Sequence, residues 1–189
     1  MKYILCRYDR PLLEIVGLTS TEKTFNLGFA FMGDETEETY TWVLRQVEGW
    51  CPDRPRVIVT DKDGALVEAI PRVFPDAQHN LCEVHMHRNI EENAFKKSRQ
   101  ESVQREFSRD CYTLFRSSSE ESFDQKIAEM EDRWGTRWGL MDYLALIWVK
   151  HKEKVAWYLT DQHLHLGNKT TNRYLIHFYL LNDIHLCEI

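Results

Sequence analysis

A short apolar run that ends on a carboxylate is the feature of this chain that most constrains its fold. Residues 57–60 are Val-Ile-Val-Thr, and Asp61 follows at once. Consecutive β-branched side chains predict a strand that is covered on both faces. Asp63 precedes apolar residues at helical spacing and is suited to cap that helix. Asp61 is therefore expected at the carboxyl end of a central strand, where open α/β sheets place their ligands.

A second strand-like piece follows that helix. His79–Leu81 is bounded by Cys82, and His85 lies three positions further on. The chain thus has the order strand, Asp61, helix, strand and Cys-x-x-His. This order places a thiol and an imidazole at the end of a neighbouring strand.

The segments before Asp61 predict a hairpin and a helix. Pro11–Thr19 and Thr24–Met32 have the composition of two strands, and Gly28 suggests a bulge in the second. Asp34 begins a predicted capping box for the following helix. Pro71 lies inside the helical pattern behind Asp61, where it predicts a kink or an early end.

The second half of the chain is helical in its periodicity. From residue 86 to about residue 138 there is no strand signal, and residues 142–159 predict an aromatic-rich helix. Strands, alternating units and a final helical block indicate an α/β sheet with a helical insertion.

Length and composition describe one ordinary globular domain. The 189 residues are 43% hydrophobic and 29% charged, and no apolar run approaches the roughly 20 residues of a membrane span. The odd, scattered set of cysteines is typical of reduced thiols inside the cell. These cysteines are Cys6, Cys51, Cys82, Cys111 and Cys187.

Several motifs in one order resemble a known family. The segment PRVIVTDKDGALVEAIPRVFPDAQHNLCEVHMHRNI resembles the core of the MULE transposases, which are Mutator-like DDE enzymes with an RNase H-like fold. The resemblance extends upstream through PLLEIVG and downstream through GNKTTNR, and it covers roughly residues 3 to 173. Each motif is weak alone, but the set in this order is specific.

The resemblance implies an α/β fold in which an RNase H-like mixed sheet is flanked by helices. It divides the chain into a partial RNase H-like core at residues 1–85, an all-helical insertion at residues 86–160 and a return segment at residues 161–173. Residues 174–189 form a tail that departs from the family. Because this tail is apolar and rich in aromatic residues, we expect it to favour aggregation.

The implied chemistry is metal-dependent cleavage and joining of DNA. Three carboxylates hold Mg²⁺ or Mn²⁺ in such a site. Asp61 matches the second carboxylate and is the candidate catalytic and metal-binding residue, although the residues alone also allow it to cap the next helix. The first carboxylate would fall at or just before Met1, and Leu175 stands at the position of the third. A lone carboxylate binds Mg²⁺ weakly, so we expect an inactive fragment that is truncated within its catalytic core.

Cys82 and His85 match the Cys-x-x-His motif of the family. They provide half of a zinc signature, and no other histidine has a matching spacing. We therefore expect a structural role for the pair, a buried thiol beside a hydrogen-bonded histidine, rather than a zinc site.

DNA is the partner that the resemblance implies, and the nucleus is the implied location. The net charge of −6 is opposite to that of a typical DNA-binding domain. However, residues 133–173 carry seven Lys or Arg against three carboxylates, a pattern that a solvated helix end also explains. The candidates for DNA contact are Lys169, Asn172 and Arg173.

Three functions follow as hypotheses. The chain is a fragment of a DDE transposase, or a domesticated DNA-binding or regulatory module without catalysis, like the plant far-red-impaired-response transcription factors, or a relic without activity. The DNA on either side of its reading frame would distinguish these hypotheses, and the sequence leaves the oligomeric state open.

Overall fold

A computed structural model describes residues 10–18, 23–51, 54–135, 137–163, 165, 167 and 169–171. The structure is mixed α/β and mostly helical. In chain order its elements are β1 (Leu12–Leu18), β2 (Thr24–Phe31), α1 (Glu37–Trp50), β3 (Val57–Thr60), α2 (Gly64–Val73), β4 (Gln78–Leu81), α3 (Glu83–Lys97), α4 (Glu101–Phe115), α5 (Glu120–Trp134), α6 (Leu140–Ile147), α7 (Lys152–Val155) and α8 (Trp157–Thr160). Two 3₁₀ turns, Arg137–Gly139 and Val149–His151, flank α6.

The predicted hairpin is confirmed. β1 and β2 pair antiparallel from Leu12 opposite Phe31 to Leu18 opposite Thr24. The register shifts where Ile15 faces Gly28 and Val16 faces Asn26, so one extra residue lies in β2. The bulge that Gly28 predicts is therefore present.

β3 and β4 form a parallel pair in which Val57 lies opposite Gln78 and Thr60 lies opposite Leu81. The sequence predicted β3 as a central strand, which has a neighbouring strand on each side. Among the residues that the structure describes, β3 pairs with β4 alone, and the hairpin forms a second two-stranded sheet. The sequence predicted both strands but not this separation, because hydrophobic pattern does not define strand order.

The helix caps confirm one prediction and correct two. The Asp63 side chain accepts a hydrogen bond from the Leu66 amide at 2.9 Å and caps α2. Thr36, rather than Asp34, is the N-cap of α1, because Asp34 accepts from the Thr36 hydroxyl instead. Pro71 lies inside α2, which ends only at Val73. Its missing amide falls in the last turn, where it removes a single helical hydrogen bond.

Two hydrophobic clusters divide the buried side chains. One joins α1, α2 and the end of β2, and Ile58 of β3 packs against it. The larger one joins β4 to the helices from α3 onward, and includes the fully buried side chains Phe107, Leu144 and Trp148. Within the described part of residues 82–163, every regular element is helical, as the periodicity predicted. None of the helices described is both long enough and apolar enough to cross a membrane.

Several predictions fall outside the described residues. They concern Asn172, Arg173, Leu175 and the tail at residues 174–189.

Candidate functional site

The carboxyl ends of β3 and β4 form one edge, and the candidate residues lie there. Asp61 follows β3, and Cys82 follows β4. Because the strands are parallel and in register, both residues leave the pair at the same end. The Cys82 amide donates to the Thr60 carbonyl at 2.6 Å, which extends the pairing by one residue. The strand pattern of the sequence therefore placed Asp61 and Cys82 side by side correctly.

Asp61 does not cap α2, since Asp63 performs that role. The Asp61 carbonyl accepts a hydrogen bond from the Thr60 hydroxyl at 2.8 Å. Its carboxylate lies near enough to His85 to influence that ring. A hydrogen bond with Cys82 raises the pKa of His85, and the charges of Cys82 and Asp61 act in the same direction against its burial. Asp61, Cys82 and His85 therefore share one electrostatic environment.

Cys82 and His85 are joined by a residue that sequence reasoning missed. The Thr171 amide lies 3.2 Å from the Cys82 sulfur, and the Thr171 hydroxyl lies 3.3 Å from the same atom. That hydroxyl is also 3.3 Å from Nδ1 of His85. Thr171 belongs to the TTN motif, so the motif itself was the signal that could have revealed this contact.

These contacts change the acidity of the buried thiol. Cys82 is 1% exposed. Burial opposes ionisation, but hydrogen bonds from His85 and Thr171 outweigh it and lower the pKa of Cys82 to about 7. The hydrogen bonds from the imidazole and the amide stabilise the thiolate form of Cys82 relative to the thiol.

The return segment docks at the start of α3. The Lys169 carbonyl accepts from the Glu83 amide at 3.0 Å. The Lys169 ammonium lies 2.5 Å from the Asp161 carboxylate and 3.4 Å from the centre of the Trp157 ring. Lys169, a predicted DNA contact, is thus largely enclosed by neighbours of its own chain.

Asp61 is the predicted metal ligand, and the described residues do not complete a metal site around it. Across the parts of the chain that the structure covers, no group of three or more His, Cys, Asp or Glu side chains is placed to hold a metal ion. The predicted third position, residue 175, lies outside them.

Comparisons with known proteins agree with the motifs. Residues 3–89 match the model of the MULE transposase domain. The chain is 27% identical over 164 residues to Protein FAR1-RELATED SEQUENCE 6 of Arabidopsis thaliana, a match that covers 84% of this chain and 22% of that protein. It is also 27% identical over 175 residues to Protein FAR-RED IMPAIRED RESPONSE 1 of the same plant, which covers 90% of this chain and 20% of that protein.

A match of another kind covers less of the chain. A segment of 91 residues is 35% identical to the PKS-NRPS hybrid synthetase cheA of Chaetomium globosum, which is 46% of this chain and 2% of that protein. The match at residues 3–89 confirms the resemblance to the MULE transposase domain that the sequence indicated. The chain spans about a fifth of the length of the two Arabidopsis relatives.

Proposed function

We propose that this chain is a segment of a Mutator-like DDE transposase that binds DNA without cleaving it. The observation that carries the proposal is the shared strand edge, where Asp61 lies beside the Cys82 and His85 motif and Thr171 of the TTN motif contacts Cys82 and His85. These motifs are far apart in the sequence, and the fold brings them to one place. The family match over residues 3–89 supports the assignment.

The proposed architecture is RNase H-like. In this proposal the β1/β2 hairpin and the parallel β3/β4 pair belong to one mixed sheet, and residues 86–160 form a helical insertion that leaves the core after β4. The antiparallel hairpin followed by a parallel pair supports this architecture. So does the described chain between Glu83 and Thr160, in which every regular element is helical.

The proposed lack of cleavage rests on Leu175. DDE chemistry requires three carboxylates around Mg²⁺ or Mn²⁺, and a leucine side chain has no atom that binds a metal. Asp61 is the metal ligand of the proposal, and it remains without the carboxylate that the family motif places at position 175. Cys82 and His85 serve the fold in this proposal and hold no zinc.

DNA binding is tested directly with the purified chain. We expect a fluorescein-labelled duplex to show a rise in anisotropy that weakens as salt increases, because phosphate contacts release counterions. Equal binding to unrelated duplexes is expected for contacts to the backbone. An anisotropy that stays flat up to high protein concentration at low salt would refute the proposed binding.

The second candidate is a transposase-derived regulatory module that acts in the nucleus. Matches that span 84% and 90% of this chain in two Arabidopsis proteins of the FAR1 group favour it. Expression of the tagged chain in plant cells distinguishes the two candidates. A regulator accumulates in the nucleus and changes reporter transcription, whereas an inert transposase segment leaves the reporter unchanged.

A further inference from the structure

Basic side chains from three parts of the chain gather next to the strand edge. Lys62 follows Asp61 at the end of β3, and Lys150 and His151 lie in the 3₁₀ turn after α6. Lys154 lies in α7. Lys62 and Lys150 are exposed, whereas His151 and Lys154 are half-buried.

Trp148 holds the first part of this basic cluster together. Its ring is buried, and the Lys62 ammonium lies 5.7 Å from the ring centre. The His151 amide donates to the Trp148 carbonyl at 2.9 Å, so the turn that carries Lys150 is closed on the same residue. Lys62 and the turn that carries Lys150 therefore both contact Trp148.

Hydrogen bonds to β4 fix the second part. The Lys154 ammonium lies 3.5 Å from Nδ1 of His79, and Nε2 of the same ring lies 2.8 Å from the Thr60 hydroxyl. The Gln78 side chain donates to the Glu153 carbonyl at 3.0 Å. The turn and α7 are thus attached to the strand pair that carries Asp61.

The cluster is not neutralised by the described carboxylates. Lys152 pairs with Glu120 at 3.0 Å, and Lys169 pairs with Asp161. No ion pair of that kind joins Lys62, Lys150 or Lys154 to a described carboxylate, and the Glu153 carboxylate lies 4.0 Å from His151 only. Lys150 lies close enough to Lys62 for the two like charges to repel each other.

We propose that Lys62, Lys150 and Lys154 form a subsite for the phosphodiester backbone of nucleic acid beside Asp61. This subsite rests on the proposed DNA binding and assigns it to side chains that the sequence did not single out. Lysine ammonium groups bind phosphate as point charges. The cations extend from the strand end to α7, and a cavity lined by Lys154 and Lys169 holds about 10 Å³, room for one water. An extended anion fits this surface, whereas an enclosed small ligand does not.

The test compares two double variants that remove the same charge. K62Q/K150Q removes the exposed members of the cluster and leaves the contact between Lys154 and His79 intact. K96Q/K97Q, at the exposed end of α3, is the matched control. Anisotropy titrations with two unrelated duplexes over a range of salt give the slope of log K against log salt. We expect K62Q/K150Q to reduce that slope by about 2, equally for both duplexes, and the control to leave it unchanged.

Each outcome has a separate meaning. If the wild-type chain binds DNA but K62Q/K150Q keeps its slope, the subsite is refuted while the proposed DNA binding stands. If the wild-type chain binds no duplex, long-chain inorganic polyphosphate is the second probe. Capture of polyphosphate that K62Q/K150Q loses would support the anion subsite although the DNA proposal had failed, and no capture would refute both. Equal thermal melting of the two variants shows that folding is not the cause.

Discussion

The contacts of Cys82 show how a buried side chain can link distant parts of the motif. The sulfur is reached by the Thr171 amide and hydroxyl, and the same hydroxyl reaches His85. A neutral thiol accepts hydrogen bonds weakly, whereas a thiolate accepts them strongly. The geometry therefore favours ionisation of the sulfur.

The first prediction concerns the titration of this thiol. The ultraviolet absorbance of the thiolate should show a component with a midpoint of about pH 7 in the wild-type chain. Cys82→Ser should remove this component, and Thr171→Val should raise its midpoint because one hydrogen bond to the sulfur is lost. Cys111→Ser is the matched control, since burial raises the pKa of Cys111 well above its usual value. A midpoint that survives Cys82→Ser would contradict the assignment.

His79 gives the second prediction, which concerns stability and pH. Burial, followed by the charges of Lys154 and His151, lowers its pKa from 6.5 to about 3. The Thr60 hydroxyl donates to the Asp61 carbonyl, so it accepts from Nε2 of His79 and leaves Nδ1 to accept from Lys154. Below pH 6.5 the unfolded chain binds a proton that the folded chain excludes. The contribution of neutral His79 to the free energy of unfolding is therefore complete above pH 6.5. It is lost as the pH falls from 6.5 towards 3.

His79→Gln should remove this pH dependence. Urea unfolding of both chains between pH 7 and pH 4 measures it, because the other acidic groups are common to the two proteins. We expect the wild-type free energy of unfolding to fall relative to the variant by up to about 1.4 kcal/mol per pH unit. Parallel curves over that range would show that His79 binds protons equally in both states.

Single residues were predictable from the sequence where the rule is local. Asp63 as a helix cap needed only its own segment, and it was correct. Asp34 failed by two positions, because Thr36 adopts the extended backbone of an N-cap and accepts from the Thr39 amide. Thr171 and the cluster around Lys62 were missed because their contacts join residues far apart in the chain. The TTN motif was the signal for the first of these contacts, and no local pattern records the second.

At the scale of elements, α2 connects the candidate site to the core. It starts at Gly64 directly behind Asp63, and it buries Leu66, Ala69, Ile70 and Val73. The Asp63 cap therefore fixes the start of α2, and the buried side chains of the helix pack against α1. The cap orients the segment in which Asp61 and Lys62 lie.

The third prediction is that Asp63→Ala destabilises the fold by about 1 kcal/mol, the typical cost of a lost N-cap. The midpoint of urea unfolding, followed by circular dichroism, measures this change. Glu68→Ala removes an exposed carboxylate from the same helix and is the control, for which we expect less than about 0.5 kcal/mol. Equal losses in the two variants would show that charge, rather than the cap, determines the effect.

Strand order was the part of the fold that the sequence could not supply. An apolar run identified β3, a strand-like segment identified β4, and the helix between them is typical of a parallel crossover. In the described residues, however, the hairpin and the β3/β4 pair are separate sheets. The side-chain pattern indicates which face of a strand is covered. The neighbouring strand, however, is joined through backbone hydrogen bonds, which nearly every residue can form whatever its side chain.

At the scale of the whole molecule, charge is distributed unevenly. The net charge is −6, yet basic side chains collect beside the strand edge while six carboxylates lie in α5. Arg133 of α5 pairs with Glu106 and Asp110 of α4. Net charge alone therefore underestimates the attraction of one surface for an anion, because the field near that surface depends on the local groups.

The fourth prediction is catalytic silence of the purified chain. Supercoiled plasmid incubated with Mg²⁺ or Mn²⁺ should remain uncut, because Leu175 provides no ligand for a metal pair. Agarose gels that follow the loss of supercoiled DNA measure it. The decisive comparison is with Asp61→Ala. Nicking by the wild-type chain that this substitution abolishes would mean that other carboxylates complete the site.

The bond between Thr171 and Cys82 joins residues 89 positions apart, and the Glu83 amide meets the Lys169 carbonyl at the same point. The two ends of the helical block thus lie next to each other at the strand edge. The entropy of closing a long loop grows only with the logarithm of its length, about 0.6 kcal/mol for each doubling. The entropy of closing the chain therefore places little limit on the length of the block, while the contacts of Cys82 and Glu83 hold its two ends at the strand edge. In this chain the largest part is therefore the one whose length is least restricted by the entropy of loop closure.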